Sequence, residues 1–327
     1  MINHLLVLPR LRIQNANAIS SPITWGFPAM SAFIGVQQVL ERNLPDDINL
    51  VFNEIGVVCH HIEPQVTEGG FIKAFHLTRN PVDKSGGTAA IVEEGRAHLE
   101  VTLLIGVESE GDDLSSAERR DAIAKALFEQ VAGMRIAGGS VMPAFDAQQR
   151  NRPELISFSA TESERAKQWR RLKRRLLPGF ALVLRDDLLA EHTATLKAQD
   201  ESATALDAWL DLSRLNHECL VEQVKDEKDG KEKEVVRWSV RRPYRGWLVP
   251  IPVGYGAISD QYDPGEVANA RDPSVSFRFV ESLYSIGEWV SPHRFQKPDD
   301  LMWFVENDLG RGIYRLQNDY ANTVTQD

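Results

Sequence analysis

The residues best suited to chemistry lie in residues 10–28, where a predicted strand opens into a polar loop. Amide side chains can read the edges of unpaired bases, hydroxyl and guanidinium groups bind phosphates, and an aromatic ring stacks on a splayed base. An ordinary polar loop beside a core tryptophan has the same composition, so both interpretations stay open. The candidate single-stranded RNA contacts are Arg10, Arg12, Gln14, Asn15, Asn17, Ser20, Ser21, Thr24 and Trp25.

A second candidate phosphate site lies in residues 134–143, where Gly138 and Gly139 allow backbone N–H groups to approach an anion closely. Arg135 and Ser140 flank these glycines. A β-bulge explains the glycines equally well. A polar segment at about residues 67–94 predicts a projecting β-hairpin, whose Arg79 and Asn80 suit either a backbone contact with RNA or a solvated tip.

The charge of the chain is unevenly distributed. The 327 residues contain 37 Lys+Arg and 47 Asp+Glu, and the net charge of −10 argues against nonspecific binding of nucleic acid. Residues 1–40 nevertheless carry +2 and residues 165–175 carry +7, which leaves −19 for the rest. The second segment predicts a basic helix, either a solvated face or an anion site, with the candidate RNA contacts Arg170, Arg171, Arg174 and Arg175.

Signatures of catalysis and of metal binding are weak. The sequence has no GxSxG, HExxH, P-loop or GxGxxG motif. His60 and His61 are adjacent on a predicted strand and point to opposite faces, and two cysteines make neither a disulfide framework nor a zinc cluster. We therefore predict no cofactor, no metal and no enzymatic activity. The alternative is an RNA-processing endoribonuclease that uses His61 or His98 as general acid or base.

The composition, with 43% hydrophobic and 26% charged residues, is typical of a soluble globular protein. The apolar run at residues 5–8 is too short for a signal-peptide core or a membrane span. We expect a cytoplasmic protein that makes no contact with a membrane.

The elements that must position these residues follow the order strand, helix, strand, strand, helix, strand over residues 1–142. Strands are predicted at residues 4–13, 48–66 (bent near Gly56), 95–107 and 134–142, and helices at 29–43 and from a capping box of Ser115 and Glu118 to Gly133. This order is that of an α+β protein with a ferredoxin-like, RRM-like βαββαβ core. Because the third strand has no aromatic residue for bases to stack on, we expect RNA on loops, hairpin and basic helix.

The chain is expected to have two parts. Residues 1–150 form an RNA-binding palm with the inserted thumb-like hairpin at about 67–94. Residues 151–327 form a mixed helical and strand extension, with helices near 161–176, 186–198 and 204–215 and strands at 179–185, 247–253, 275–284 and 301–305. The charged stretch 226–234 is predicted to be a solvated loop.

Long strings spread over nearly the whole chain resemble one family, the Csy-type second subunit of type I-F CRISPR surveillance complexes, in the Cas-five branch of the RAMP superfamily. The strings are LPRLRIQNANAISSPITWGFP (8–28), LTRNP (77–81), TAAIVEEGRAHLEV (88–101), MRIAGGS (134–140), RRLLPGFALV (174–183), GWLVPIP (246–252), PGEVANARD (264–272) and GEWVSPHR (287–294).

The resemblance implies a noncatalytic, prokaryotic antiviral-defence protein with a RAMP fold that grips the 5′ handle of the CRISPR RNA (crRNA). Its implied partners are the large subunit of the Cascade-like Csy complex, the Cas-seven-type backbone subunit next to the handle, and target DNA through the assembled complex. The hairpin at about 67–94 would be a thumb that wedges against the RNA, while cleavage of precursor RNA would belong to another subunit. Arg271 and Arg294 are further candidate RNA contacts.

Overall fold

The structure is a computed structural model that describes residues 1–70, 72–79, 82, 85–88, 91–109, 111, 114–142, 151–225 and 232–324. It is a mixed α+β protein with a large antiparallel sheet. In chain order its elements are β1 (His4–Asn17), β2 (Ile19–Ser21), β3 (Thr24–Trp25), α1 (Met30–Arg42), β4 (Leu50–Pro64), β5 (Val66–Gly69), β6 (Ile72–Phe75), β7 (Leu77–Arg79), β8 (Ile91–Glu93), β9 (Arg96–Ser109), α2 (Ala117–Ala132), β10 (Arg135–Ile136), β11 (Gly139–Met142), β12 (Glu154–Ser157), α3 (Glu162–Arg175), β13 (Phe180–Leu184), α4 (Asp186–Gln199), α5 (Ala205–Ser213), β14 (Asn216–Lys225), β15 (Glu232–Arg241), β16 (Leu248–Ala257), β17 (Val280–Val290), the 3₁₀ turns Pro292–Arg294 and Pro298–Leu301, β18 (Trp303–Asp308), β19 (Ile313–Asn318) and α6 (Tyr320–Val324).

Within the described chain, eleven strands form the large sheet in the order β10-β11-β1-β9-β4-β13-β17-β16-β19-β18, with β12 also paired to β1. The first half of the chain therefore contributes the neighbours β11, β1, β9 and β4. Long antiparallel ladders join β1 to β9 and β9 to β4, and a short one joins β11 to β1. Because β4 pairs with β13 as well as with β9, the sheet continues without interruption into the second half of the chain.

Apolar layers cover both faces of the sheet at the start of β1. On one face, Leu6 and Leu8 belong to the core that includes residues of α1 and α2. On the other face, Leu5 and Val7 pack in a core that includes Trp169 of α3. Burial on both faces explains the continuous apolar run at residues 5–8, and farther along β1 the alternation of buried and exposed residues returns.

In the second half, strands β4, β13, β17, β16, β19 and β18 close a circuit, because Trp303 of β18 pairs with Ile55 of β4. Gly56 lies beneath this junction, where a Cβ atom would sit 2.1 Å from Leu301 Cδ1. The register of β4 shifts between Phe52 and Glu54 and after Cys59, and is regular at Gly56. The glycine predicted to bend the strand thus permits close packing instead.

Several predicted boundaries are confirmed and others differ. Helices α1 and α3 match their predicted ranges within two residues, whereas the N-cap of α2 is Ser116, whose Oγ accepts the Arg119 N–H at 3.2 Å, and not Ser115. Residues 14–17 belong to β1 and not to a loop. The predicted single hairpin is two short ladders, β5–β6 and β7–β8.

The long β14–β15 hairpin was not predicted from the sequence. Its strands pair from Asn216 with Arg241 to Lys225 with Glu232, and they form a separate two-stranded sheet, here called the ribbon. Residues 226–231 of the predicted charged loop lie outside the described residues.

Candidate nucleic-acid interface

The exposed side of α3 is strongly basic, although Lys167 on this side is paired with Glu164, with Nζ 2.6 Å from Oε1. Arg170, Arg171 and Arg174 are exposed, and no carboxylate of the described chain pairs with them. A cleft of about 480 Å³, here called the basic cleft, is lined by Lys167, Arg170, Lys173, Arg174, Leu177 and His293. This arrangement can hold phosphate groups of a polyanion.

Other basic residues of α3 are already engaged. Arg175 forms an ion pair with Glu154 and donates to the Arg152 carbonyl. Lys173 Nζ donates to the Phe295 carbonyl at 2.7 Å. Arg175, which was predicted to contact RNA, is thus distinguished from Arg170, Arg171 and Arg174 by a neutralised charge.

The edge of the sheet brings together Gln14, Arg135 and Ser140. Ser140 of β11 pairs with Gln14 on one side and with Arg135 on the other, so the three side chains share one face, and all three are exposed. Gly138 adopts φ +76° in the hairpin turn, and a Cβ atom on Gly139 would lie 2.7 Å from the Ala16 nitrogen. The glycines are therefore required by the hairpin and its packing against β1.

Arg12 and Arg10 lie farther back on β1. Arg12 is exposed on the strand two residues before Gln14. Arg10 is half-buried, with Nη1 in an ion pair with Glu100 Oε1 at 2.7 Å and Nη2 donating to the Leu177 carbonyl at 3.3 Å. Arg10 therefore ties the sheet to the segment that follows α3.

The polar side chains of the predicted RNA loop mostly shape the loop itself. Ser21 Oγ accepts the Thr24 N–H at 3.0 Å, and both residues are buried in the β2–β3 turn, where Ser20 Oγ also contacts Thr24 Oγ1 at 2.8 Å. The Asn17 side chain donates to the Ile19 carbonyl at 2.8 Å and accepts the Ile19 N–H at 3.1 Å. Asn15 is exposed, and its side-chain oxygen accepts a hydrogen bond from Gln65 Nε2.

Trp25 lies at a second concavity, here called the aromatic cleft, with a volume of about 500 Å³. Trp25 is 40% exposed and packs on Phe75. The walls of the cleft come from β3 and the start of α1, the end of β4, and strands β13, β16 and β17. The exposed Phe180 and Trp247, together with the half-buried Trp289, form much of its surface.

Two of the histidines, His60 and His98, are held by hydrogen bonds to neighbouring groups. His60 Nδ1 and Nε2 contact the Pro178 carbonyl and Thr102 Oγ1, each at 2.7 Å, and burial lowers the pKa of His60 to about 4. His98 Nδ1 accepts the Asn15 N–H, and His98 Nε2 contacts Gln65. Among the described residues, no group of His, Cys, Asp or Glu could hold a metal ion.

The remaining predicted contacts lie apart from these groups. Arg79 is on β7 and Asn80 is outside the described residues. Arg271 is exposed between β16 and β17, and Arg294 is exposed in the 3₁₀ turn next to His293, with Nη1 3.9 Å from Glu288 Oε1. No helix in the described ranges has the length and apolar character needed to cross a membrane.

Sequence reasoning missed the aromatic residues Phe180, Trp247 and Trp289 and the exposed Arg242 and Arg245. The string RRPYRGW at residues 241–247 places three arginines and two aromatic rings within seven residues, which is the signal that was available. Arg242 and Trp247 line a neighbouring pocket of about 440 Å³, and no ion pair of the described chain involves Arg242 or Arg245.

Comparison with known proteins agrees with the resemblance of the sequence strings. A family model described as CRISPR-associated protein (Cas_Csy2) matches residues 6–316. The CRISPR-associated protein Csy2 of Pseudomonas aeruginosa (strain UCBPP-PA14) is 48% identical over 318 residues, which cover 95% of this chain and 94% of the relative. The chain therefore belongs to the Csy2 family, the second subunits of type I-F CRISPR complexes.

Proposed function

We propose that this subunit of a type I-F CRISPR complex is a noncatalytic, cytoplasmic RNA-binding protein that holds the 5′ handle of the crRNA for antiviral defence. The observation that carries the proposal is the set of unpaired arginines on α3 close to an aromatic cleft. Phosphate binding by arginine combined with stacking on aromatic rings is the usual basis for holding single-stranded RNA.

The contacts divide by chemistry. Arg12, Arg135, Arg170, Arg171 and Arg174 bind phosphates, with Arg271 and Arg294 as further candidates. Gln14 and Asn15 read base edges, Trp25 stacks on a base, and Ser20, Ser21, Thr24 and Asn17 keep the loop in shape through the hydrogen bonds described above.

The first part of the chain, residues 1–150, is proposed to be a ferredoxin-like RAMP palm. The neighbour order β11-β1-β9-β4, with α1 and α2 packed on the same core, supports this assignment. The β5–β8 ladders would then be the thumb at about 67–94, and residues 151–327 would be an extension whose strands continue the sheet.

The partner subunits are proposed to be the large subunit and the backbone subunit next to the handle, with target DNA reached through the assembled complex. The ribbon is the surface that best suits the large subunit. Cys219 with Trp238 and Val221 with Val236 are adjacent uncharged cross-strand pairs on one exposed face, which continues to the pair of Gln223 and Glu234. An exposed apolar face of this kind suits a protein partner and not a polyanion.

The experiment titrates the full chain, within its complex, with the 5′ handle RNA of the host's CRISPR repeat and with a scrambled RNA. We expect preference for the handle, and a loss of about 1–3 kcal/mol of binding free energy in Trp25→Ala. Unchanged affinity in folded Trp25→Ala contradicts the stacking role. Specific cleavage of repeat RNA in EDTA that disappears in His61→Ala or His98→Ala contradicts the noncatalytic role.

A further inference from the structure

The aromatic cleft contains a ladder of rings that runs from solvent into the core. The ring centroids of Phe180 and Trp247 are 5.7 Å apart, those of Trp247 and Trp289 are 6.1 Å apart, and those of Trp289 and Phe27 are 5.0 Å apart. Phe180 is 43% exposed and Trp247 is 57% exposed, while Phe27 packs on the buried Phe33. The inner rings are held in place by packing. The outer rings that rest on them therefore have a defined position and are exposed to solvent.

The interior of this cleft is uncharged, because its lining includes no Asp, Glu, Lys or Arg. Basic residues lie in the chain segments that adjoin it on two sides. On the Trp247 side, Arg242 and Arg245 lie in the exposed segment that leads to the ring. On the other side is Phe180, which follows Leu177 and Arg174 of the basic cleft.

The two clefts border the same segment of chain, residues 177–180. Leu177 lines the basic cleft and Phe180 lines the aromatic cleft, and three residues of backbone span at most about 10 Å. Arg10 and His60 hold this segment against the sheet through the carbonyls of Leu177 and Pro178. A single nucleic-acid strand can therefore have phosphates at the cations while a base enters the neighbouring cleft.

We propose that the aromatic cleft is the site for one unstacked base of the bound RNA, which stacks on Trp247 while the adjoining phosphates contact Arg174 and Arg245. The site deepens the proposed function and rests on it. A volume of about 500 Å³ lies in the range of small-ligand sites and accommodates a nucleobase. His61, which lines the same cleft, supplies a polar group for the edge of the base.

An apolar side chain of a protein partner is the other class of occupant. The charge near the cleft favours the nucleotide, because an aliphatic side chain gains nothing from Arg245 just before Trp247 or from Arg174 in the neighbouring basic cleft, whereas each phosphate contact releases counterions. The ribbon, which exposes Trp238 on one face and carries paired charges on the other, shows the alternative arrangement within the same chain.

The test is a double-mutant cycle between the protein and the RNA. A set of handle RNAs, each with an abasic ribose at one position, is titrated against the full chain in its complex. We expect one abasic position to weaken wild-type binding about 5- to 150-fold, and Trp247→Ala to weaken binding of the intact RNA by a similar factor. In Trp247→Ala the same abasic position should then have no further effect.

The control is Tyr255→Ala, which removes an exposed aromatic ring outside the aromatic cleft and should leave RNA affinity unchanged. Phe180→Ala repeats the cycle at the neighbouring exposed ring of the ladder. Failure of the wild-type complex to bind intact handle RNA contradicts the proposed function and the base site together. If the wild type binds the handle but the effects of Trp247→Ala and of every abasic position are additive, the base site alone is overturned. The same holds if Trp247→Ala releases a protein subunit from the complex without lowering RNA affinity.

Discussion

The aromatic cleft and the ribbon both present a tryptophan to solvent, but the charges around them are arranged differently. Around the cleft, Arg242 and Arg245 have no carboxylate partner within the described chain. On the ribbon, Arg241 Nε lies 2.8 Å from Glu218 Oε1 and Arg237 Nε lies 4.0 Å from Glu222 Oε2. The pairing of an arginine, and not its presence, therefore distinguishes a surface suited to phosphate from one suited to protein.

The two surfaces also differ in what supports them. The cleft is backed by the large sheet, whereas the ribbon is a separate two-stranded sheet, a structure that is marginal in water by itself. Its base is held by the buried carboxylate of Asp211, which accepts hydrogen bonds from Arg241 at 2.8 Å and Asn216 at 2.9 Å and contacts His192 Nε2 at 2.8 Å. Burial opposes ionisation of Asp211, but these hydrogen bonds prevail and lower its pKa to about 2.

The largest expected effect is the loss of the ribbon's anchor in Asp211→Ala. Removing one partner from a buried ionic network costs about 3 kcal/mol, and the cost should appear as local opening of the ribbon. Limited proteolysis should cut residues 216–241 faster than in the wild type, while handle RNA affinity stays the same. Glu218→Ala, which removes an exposed partner of Arg241, is the matched control with an effect of about 0–1 kcal/mol. Equal cleavage in both variants would show that Asp211 is not the anchor.

The apolar face of the ribbon is tested by Val236→Ser combined with Trp238→Ser. Because buried aromatic residues dominate protein interfaces, we expect the affinity for the large subunit to fall by about 2 kcal/mol or more. Co-purification and calorimetry with the large subunit measure the change, with Leu220→Ser on the opposite face as control. If the double variant lost RNA binding but still bound the large subunit, the ribbon would be an RNA-binding surface, contrary to the comparison with the cleft.

The unpaired and paired arginines are compared directly by Arg174→Ala and Arg237→Ala. Each phosphate contact with a single strand contributes about 0.7 to the slope of log K against log salt concentration. Titration of handle RNA at several salt concentrations should show a slope reduced by about 0.7 in Arg174→Ala and unchanged in Arg237→Ala. Equal slopes in the two variants would show that the pairing of an arginine with a carboxylate does not decide whether it contacts phosphate.

The smallest effect is a difference in acid sensitivity. Burial lowers the pKa of His60 from 6.5 to about 4, so its neutral form stabilises the fold fully above pH 6.5 and this contribution is lost as the pH falls towards 4. The lowered pKa of Asp211 preserves the ribbon's anchor until the pH falls from 3.8 towards 2. Hydrogen exchange at pH 5 should therefore show a loss of protection in residues 177–180 and not yet in the ribbon.

His60→Gln is the control for that experiment, because other groups titrate over the same pH range. Burial, followed by the charge of Asp299, raises the pKa of Glu54 to about 7, and its contribution to stability is lost as the pH rises from 4.5 to 7, which is the opposite direction. The melting temperature of the wild type should decline more steeply from pH 6.5 to 4 than that of His60→Gln. Parallel curves would exclude His60 as the source of the acid sensitivity.

The sequence predicted local structure better than the assembly of the site. The spacing of Phe33, Val36 and Leu40 predicted α1, and its apolar residues do face the core. The RNA loop was predicted from residue types, but the hydrogen bonds of Asn17 and Ser21 to their own backbone neighbours depend on turn geometry that composition does not encode.

The aromatic cleft could not be predicted because its walls are joined only by tertiary pairing. Trp25, Phe180, Trp247 and Trp289 are far apart along the chain, and only the folded sheet brings their rings to one cleft. The ribbon was missed for another reason, since its alternation of charged and apolar residues lacks a buried face, the feature by which strands are usually recognised.

The closed circuit of strands has a consequence for synthesis on the ribosome. The N-terminal half of the chain emerges first, and it carries Trp25 and the end of β4, but the opposite wall of the aromatic cleft arrives only with Trp247 and Trp289. The pairing of Ile55 with Trp303 comes later still. A nascent chain therefore has no complete aromatic cleft, and the base site proposed there is expected to form only after translation has nearly finished.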